Sequence, residues 1–368
     1  MVEKRKRILN LVEQGKITAS EALTLLELLE QEEENKSAKE KEILHDLSNV
    51  VVLDEEEQKQ QEKEEATQKK IASAKDMILN FVDNIVTKVK EVDLNFTKYA
   101  TVPHIYHDQV AAVSEVNIEV ANGDVEVIAW DGPGVKVECD AKVYRTENEE
   151  TARKTLLEEA TFNVNEKKLY FVVGQKWMRV NSKVYVPTTH YDKVRIKLFN
   201  GAIQVSQLTI NQLKAKTGNG KIDIQNVISH EADFETVNGN IELTNNTFDK
   251  LECETINGTV KHTGSFQMAD IETFIGSINV EGFTSTAKVL NVQSDSGTVQ
   301  VTVPLNMGVS GEAKSYLGAL HVDVPGMKVT ESKNEVIQKM IKFENEDVNS
   351  VRVTAESKTA SVTIKQAL

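Results

Sequence analysis

From Val116 to the C-terminus, apolar and polar residues alternate in short runs such as VNIEV, VEVIAW and VKVECDAKV. Period-two alternation marks strands with one buried face, so residues 110–368 are predicted to form a β domain. One helical insert, TARKTLLEEA from Thr151, and a strand pair, FNVNEKKLYFVV, interrupt it early. The chain ahead of this domain follows the helical period instead. Ile8, Leu11 and Val12 make one apolar stripe, Gly15 ends it, and Thr18 with Glu21 forms a capping box that opens a second helix carrying Ala22, Leu25, Leu26 and Leu29. A helical hairpin over residues 1–30 is therefore expected, and it is too small to bury its stripe alone. It needs another protein, a second copy (a homo-oligomer through the N-terminal helices) or the rest of the chain.

Between hairpin and β domain lie two further segments. Residues 31–70 hold 13 acidic and 7 basic residues with a brief apolar interlude at Val50–Leu53, and read as a charged linker or a solvated helix. Residues 71–95 read as an amphipathic helix with Ile71, Ala74, Ile78, Phe81, Val82, Ile85, Val89 and Val92 on one face. That helix either caps an open end of the β domain or makes a peripheral membrane contact through residues 71–92. A loop containing PHIYH is expected to follow it.

The β domain repeats itself. Gly201, Gly220, Gly239, Gly258, Gly276, Gly297 and Gly318 are separated by 19, 19, 19, 18, 21 and 21 residues. Asn precedes the first four, giving the turn pairs Asn200-Gly201, Asn219-Gly220, Asn238-Gly239 and Asn257-Gly258, and Asn-Gly favours the positive φ of a tight turn. Each is followed by a short strand: AIQV, KIDI, NIEL, TVKH, SINV, TVQV, ALHV. An antiparallel meander has no reason to repeat one residue type at one phase. A parallel solenoid does, because equivalent residues of successive coils stack about 4.8 Å apart. The fold expected is thus mainly β: a parallel β-solenoid of 19–21 residues per coil behind a helical hairpin and helical linker. Thr217, Thr236, Thr255 and Thr273 form one column, and Ile222, Ile241, Val260 and Ile278 another.

Alternation assigns faces. With Ala215, Phe234, Cys253 and Ile271 inward, their neighbours point out: Lys214 and Lys216, then Asp233 and Glu235, Glu252 and Glu254, Asp270 and Glu272. Six carboxylates make a grid two wide and three deep, bordered by two lysines. Opposed like charges on a sheet cost up to about 1 kcal/mol per pair. Either water and salt screen them, with the charge preventing sheet-to-sheet association, or the grid is a docking face for a cationic peptide, a divalent ion or the chain's own Lys4-Arg5-Lys6-Arg7.

Charge and cysteine content narrow the partners. With 43 Lys and Arg against 57 Asp and Glu, the net charge of −14 argues against nucleic acid. Cys139 and Cys253 stand in alternating runs as buried thiols, with neither a disulfide framework nor zinc spacing. The N-terminal MVEKRKRILNLVEQGK lacks the apolar stretch of a secretory signal, and no run of about twenty apolar residues exists. Cytoplasmic residence is expected, with membrane association as the alternative in which 71–92 contacts a membrane rather than capping the β domain.

No motif announces catalysis, a cofactor or a metal. His104 and His107 have HxxH spacing without further ligands, TGNGK at Thr217–Lys221 belongs to the repeat, and no nucleophile elbow is present. Parallel β-helices that process polysaccharide use carboxylates on an outer sheet, but the grid's repeats supply neither aromatic platforms nor Arg. A non-enzyme is expected, with a polysaccharide-processing enzyme or a surface adhesin as the alternatives.

Together, KRKRILNLVEQGKITASEALTLLELLE and the turn-strand pattern of Asn200–Val301 resemble the putative-adhesin β-solenoid family with an N-terminal SHOCT-like hairpin, of the YvlB and LiaX type in Gram-positive bacteria. The resemblance implies a binding or scaffold role in the cell-envelope stress response. Its partners would be an envelope-stress membrane protein or a cationic peptide, and it implies no catalytic residues.

Overall fold

A computed structural model describes residues 2–51, 98–109, 112–305, 307–335, 337–345 and 350–367. The expected helix at 71–95, and with it the 71–92 membrane or capping contact, lies outside the described residues. So does 52–70 of the charged tract. The described chain divides into two compact units, one of Met1–Glu40, Glu231–Asp233 and Asn238–Leu368, the other of Lys41–His230 and Phe234–Val237.

Both units are built on parallel ladders in which one coil lies over the next. In the Lys41–His230 unit, strands Glu115–Asn122, His190–Asn200 and Thr209–Asn219 stack Ile118, Ile196 and Ala215 in register. A second ladder stacks Val127, Val205 and Ile224. All six side chains are buried, which makes the space between the two ladders the core. In the other unit the stack runs Cys253, Ile271, Val292, Ala355, Ala313, again fully enclosed. The chain is mainly β and the fold is a β-solenoid.

The threonine column explains itself in atomic terms. Thr217 Oγ1 donates to the Gly201 carbonyl (2.9 Å) and Thr236 to that of Gly220 (3.1 Å). Thr255 donates to Gly239 and Thr273 to Gly258, both at 2.9 Å. Each hydroxyl is buried and satisfies the carbonyl of the turn glycine one coil earlier, a group that would otherwise be enclosed without a partner. Ser294 and Ser357 continue the column with the same bond to Gly276 and Gly297, and Ser315 donates instead to the Ala360 carbonyl. Outside it, the asparagines form an amide ladder, with Asn219 donating to Asn200 at 2.7 Å and Asn257 to Asn238 at 2.8 Å.

Three expectations need correction. First, of the turn glycines Gly201 and Gly276 adopt positive φ (148° and 152°), but Gly220 and Gly258 do not. Glycine is required there by contact: a Cβ on Gly220 would lie 1.9 Å from the Gly201 carbonyl oxygen, and one on Gly258 1.8 Å from that of Gly239. A second corner of the coil also takes positive φ, at Gln207, Asn226 and Asn245, 19 residues apart, with φ of 54–59°. Second, the coil of Gly318 does not rest on that of Gly297. Strands Ser350–Ser357 and Val362–Gln366 insert between them, pairing in parallel on both sides. The intervening chain leaves the ladder as an antiparallel pair, Lys328–Asn334 with Lys339–Glu344, and returns one level lower. Third, PHIYH is not in a loop. It belongs to strand Tyr99–Asp108, which pairs antiparallel with Val135–Tyr144 over ten residues, a ladder of backbone bonds that a sequence window cannot see.

Three helices are described. Helix α1 (Val2–Glu13) ends at Gly15, whose φ is +65°. The capping box is formed as expected, Thr18 N–H donating to Glu21 Oε2 (2.6 Å) and Glu21 N–H to Thr18 Oγ1 (3.2 Å). It opens α2 (Ala19–Ser48), so the charged tract is helical as far as Ser48. The hairpin buries Ile8, Ile17, Ala22, Leu25 and Leu29 against Leu317 and Ile337 of its own unit. Helix α3 (Glu149–Glu159), capped by the Asn148 side chain on the Thr151 N–H, buries Ala152 and Leu156.

Candidate binding face

The outward positions of strands Ile241–Asn257 and Val260–Ile275 pair in register, Glu252 with Asp270 and Glu254 with Glu272. On the next strand both columns change to amides, Asn291 beside Asp270 and Gln293 beside Glu272. Asp233 falls in this unit as well, and its charge acts on Lys250 and Cys253. Glu235 falls in the other unit, where Lys216 meets it at 2.9 Å.

The two columns differ in environment. Asp233 is half-buried and Glu252 and Asp270 are exposed. Glu252 has an ion pair with Lys250 at 2.6 Å, both side chains about half exposed. The Asp270 carboxyl is nonetheless pushed above the ordinary aspartate range, by desolvation first and by Glu252 second, with the Asn291 side chain opposing. This is the open column.

Glu254 and Glu272 form the covered column. Lys39 of α2 places its ammonium 3.0 Å from Glu254, whose side chain is only 19 % exposed. Burial pushes Glu272 up to about 7, with Glu254, Asp295 and Asp270 adding to the shift and Lys358 opposing it. The Gln293 amide donates to Glu272 at 3.5 Å. Around them stand acids that the alternation of the grid did not point to. Glu356 sits on strand Ser350–Ser357 and is also raised, chiefly by burial. Asp295, at the end of strand Val289–Ser296, meets Lys358 at 2.6 Å. Glu32 of α2, 8 % exposed, lies between Lys4 (3.4 Å) and Lys358 (4.0 Å), and burial raises it despite both cations.

The chain's basic N-terminus meets its own helix, Lys4 on Glu32 and Arg5 on Glu30 (2.8 Å). From α2, Lys39 reaches the grid, seven residues beyond Glu32, two turns along the same face of the helix. That spacing was visible in the tract and was the available signal. In the other unit the last turns of α2 bury Ile43, Leu44 and Leu47 and set Asp46 2.6 Å from Lys197 and 3.3 Å from Lys216. Burial opposes the Asp46 charge, but Lys197 and Lys216 outweigh it and hold its pKa below the usual range.

His104 and His107 are three apart on one strand and so leave it on opposite faces; His104 packs on Tyr106, and His107 Nε2 lies 3.1 Å from the Pro133 carbonyl. Burial pushes the Cys139 thiol up to about 12 and Cys253 well above its ordinary value, so both stay protonated and unreactive. His262 is buried in the core and held down at about 4, a neutral ring against Phe266. Among the described residues no group of His, Cys, Asp and Glu is placed to hold a metal ion, and no helix is long and apolar enough to cross a membrane.

A parallel ladder with stacked turn glycines, hydroxyls bonded between coils and a capped helical hairpin defines a β-solenoid with an N-terminal helical module. The chain belongs to the Toastrack DUF4097 family, whose model matches residues 113–363, and residues 3–34 match a SHOCT-like domain. It is 37% identical over 372 residues to the uncharacterised protein YvlB of Bacillus subtilis, covering 99% of each chain. Solved structures with similarity include a Bacteroides fragilis protein described as a putative adhesin, at 11% identity and a TM-score of 0.40, covering 73% of this chain and 97% of that one. A Parabacteroides distasonis protein described as a putative lipid binding protein matches at 11% identity and a TM-score of 0.36, covering 72% and 97%.

Proposed function

We propose that this protein is a non-enzymatic binding and scaffold protein of the bacterial cell-envelope stress response. Its solenoid displays the open column, Asp233, Glu252 and Asp270, to a basic segment of a protein partner or to a cationic peptide. The observation that carries this reading is the contrast between the two columns: α2 lays Lys39 on Glu254, while Asp270 is exposed beside Glu252 with its carboxyl raised by desolvation first and by that like charge second. A cation docking there relieves that repulsion, so the face favours a basic ligand. The hairpin, with Leu9 and Leu23 exposed on its outer side, supplies a second contact surface for an envelope-stress membrane protein. Family membership and the uncharacterised relative are consistent with a role in binding rather than catalysis.

The test is titration of a cationic amphipathic peptide into the full-length protein at low and moderate salt. Binding that weakens with salt and drops in the Glu252→Gln/Asp270→Asn double variant supports the reading. Binding of equal strength in the double variant removes the open column from the account. A deletion strain with unchanged sensitivity to cell-wall antibiotics would remove the stress role.

A further inference from the structure

The covered column is an interface between α2 and the ladder of the same unit, and carboxylates crowd together in it. Glu272 is faced from every side by named groups. Glu254 lies on the strand before it and Asp270 on its own strand. The Gln293 amide lies on the strand after, with Asp295 at that strand's end and Lys358 beyond Ser357. From α2, Lys39 reaches Glu254 and Glu32 reaches toward Lys358. Glu356 acts on the same lysine and is drawn as well to Lys314, which is already paired with Glu312. Five carboxylates, Glu32, Glu254, Glu272, Asp295 and Glu356, thus crowd about Lys39 and Lys358, with Lys4 also on Glu32 and Lys314 also drawing Glu356. The helix even brings one of the acids itself. Packing beside this cluster is incomplete: a cavity of about 40 Å³ lies among Leu25, Leu28, Leu29, Tyr316, Leu317 and Thr359, between Glu32 and Lys358.

We infer that docking of α2 on this ladder is coupled to uptake of a proton by the carboxylate cluster, centred on Glu272, which makes the helix a pH-sensitive latch over the covered column. With the helix seated, an ionised Glu272 sits partly desolvated and faces Glu254, Asp270 and Asp295. A proton on Glu272 removes that repulsion and lets its carboxyl share a hydrogen bond with a neighbouring carboxylate. With the helix lifted, the face is hydrated and Glu272 returns toward the ordinary glutamate range near about 4.3. The direction follows. A carboxyl raised to about 7 in the seated state and near about 4.3 in the lifted state makes docking strongest below about pH 4.3, progressively weaker from there upward, and at its weakest once pH has passed about 7. This inference does not depend on what the open column binds.

Amide hydrogen exchange of the full-length protein, corrected for intrinsic rates from about pH 5.5 to 8.5, reads the latch in the peptides covering residues 25–40. Protection is expected to fall by up to about tenfold per pH unit toward neutrality and to level off above about pH 8. Glu272→Gln is expected to keep the low-pH protection at every pH. Glu356→Gln, on a different strand, is expected to reduce the slope. Strand Ile203–Ser206 serves as the control for intact folding. Protection of α2 that does not vary with pH, or a slope that both variants leave unchanged, overturns the proposal.

Discussion

Glu252 and Glu254 are two residues apart on one strand and point to the same side of the sheet, yet they live differently. Glu252 is half exposed beside Lys250, whereas Glu254 lies under α2 with Lys39 on it. The inward neighbour between them, Cys253, is buried in the core. The difference comes from a second element rather than from the ladder: alternation decides only in or out, and the helix decides which outward column meets water. One strand therefore carries a core position, a structural charge and a candidate binding charge within three residues.

The comparison can be broken at graded strength. The largest loss is expected on the turn edge that both columns depend on. Gly258→Ala forces a Cβ into the Gly239 carbonyl and is expected to destabilise by about 4 kcal/mol or more, read by chemical denaturation. Next comes Thr255→Val, which keeps the shape and removes the hydroxyl from the Gly239 carbonyl, at a cost of about 1–3 kcal/mol. Lys39→Met leaves Glu254 without that ammonium in a partly buried site; about 1–2 kcal/mol of helix docking should be lost, visible as faster proteolysis of α2 at unchanged melting of the ladder. Smallest is Glu252→Gln, whose exposed pair with Lys250 contributes less than about 1 kcal/mol. A stability change from Glu252→Gln as large as that from Lys39→Met would erase the distinction between the columns.

The 19-residue period announced the ladder, because a stacked coil must present the same residue at the same place. Thr217, Thr236, Thr255 and Thr273 were readable as a column before their bonds were known. The reason for the turn glycines was not legible, since contact with the coil before and positive φ call for the same residue. The inserted level at Ser350–Gln366 was hidden too: local period says which residues stack, not which coil they stack on. At the candidate face, the pairing of Glu252 with Asp270 and of Glu254 with Glu272 followed from alternation, but Lys39, Lys358, Asp295 and Glu356 did not, because long-range packing chose them. Of these only Lys39 left a trace, seven residues from Glu32 in a tract whose charges otherwise read as solvation.

The central claim is that α2 occupies one carboxylate column and leaves the next open. Zero-length carbodiimide crosslinking of the full-length monomer, with the joined peptides identified by mass spectrometry, tests it most directly, because this chemistry links only ammonium and carboxylate groups in contact. The account predicts an intramolecular Lys39–Glu254 link alongside Lys250–Glu252. Linkage of Lys39 to Glu252 or Asp270, or no link from Lys39 to the ladder while Lys250–Glu252 forms, would contradict it.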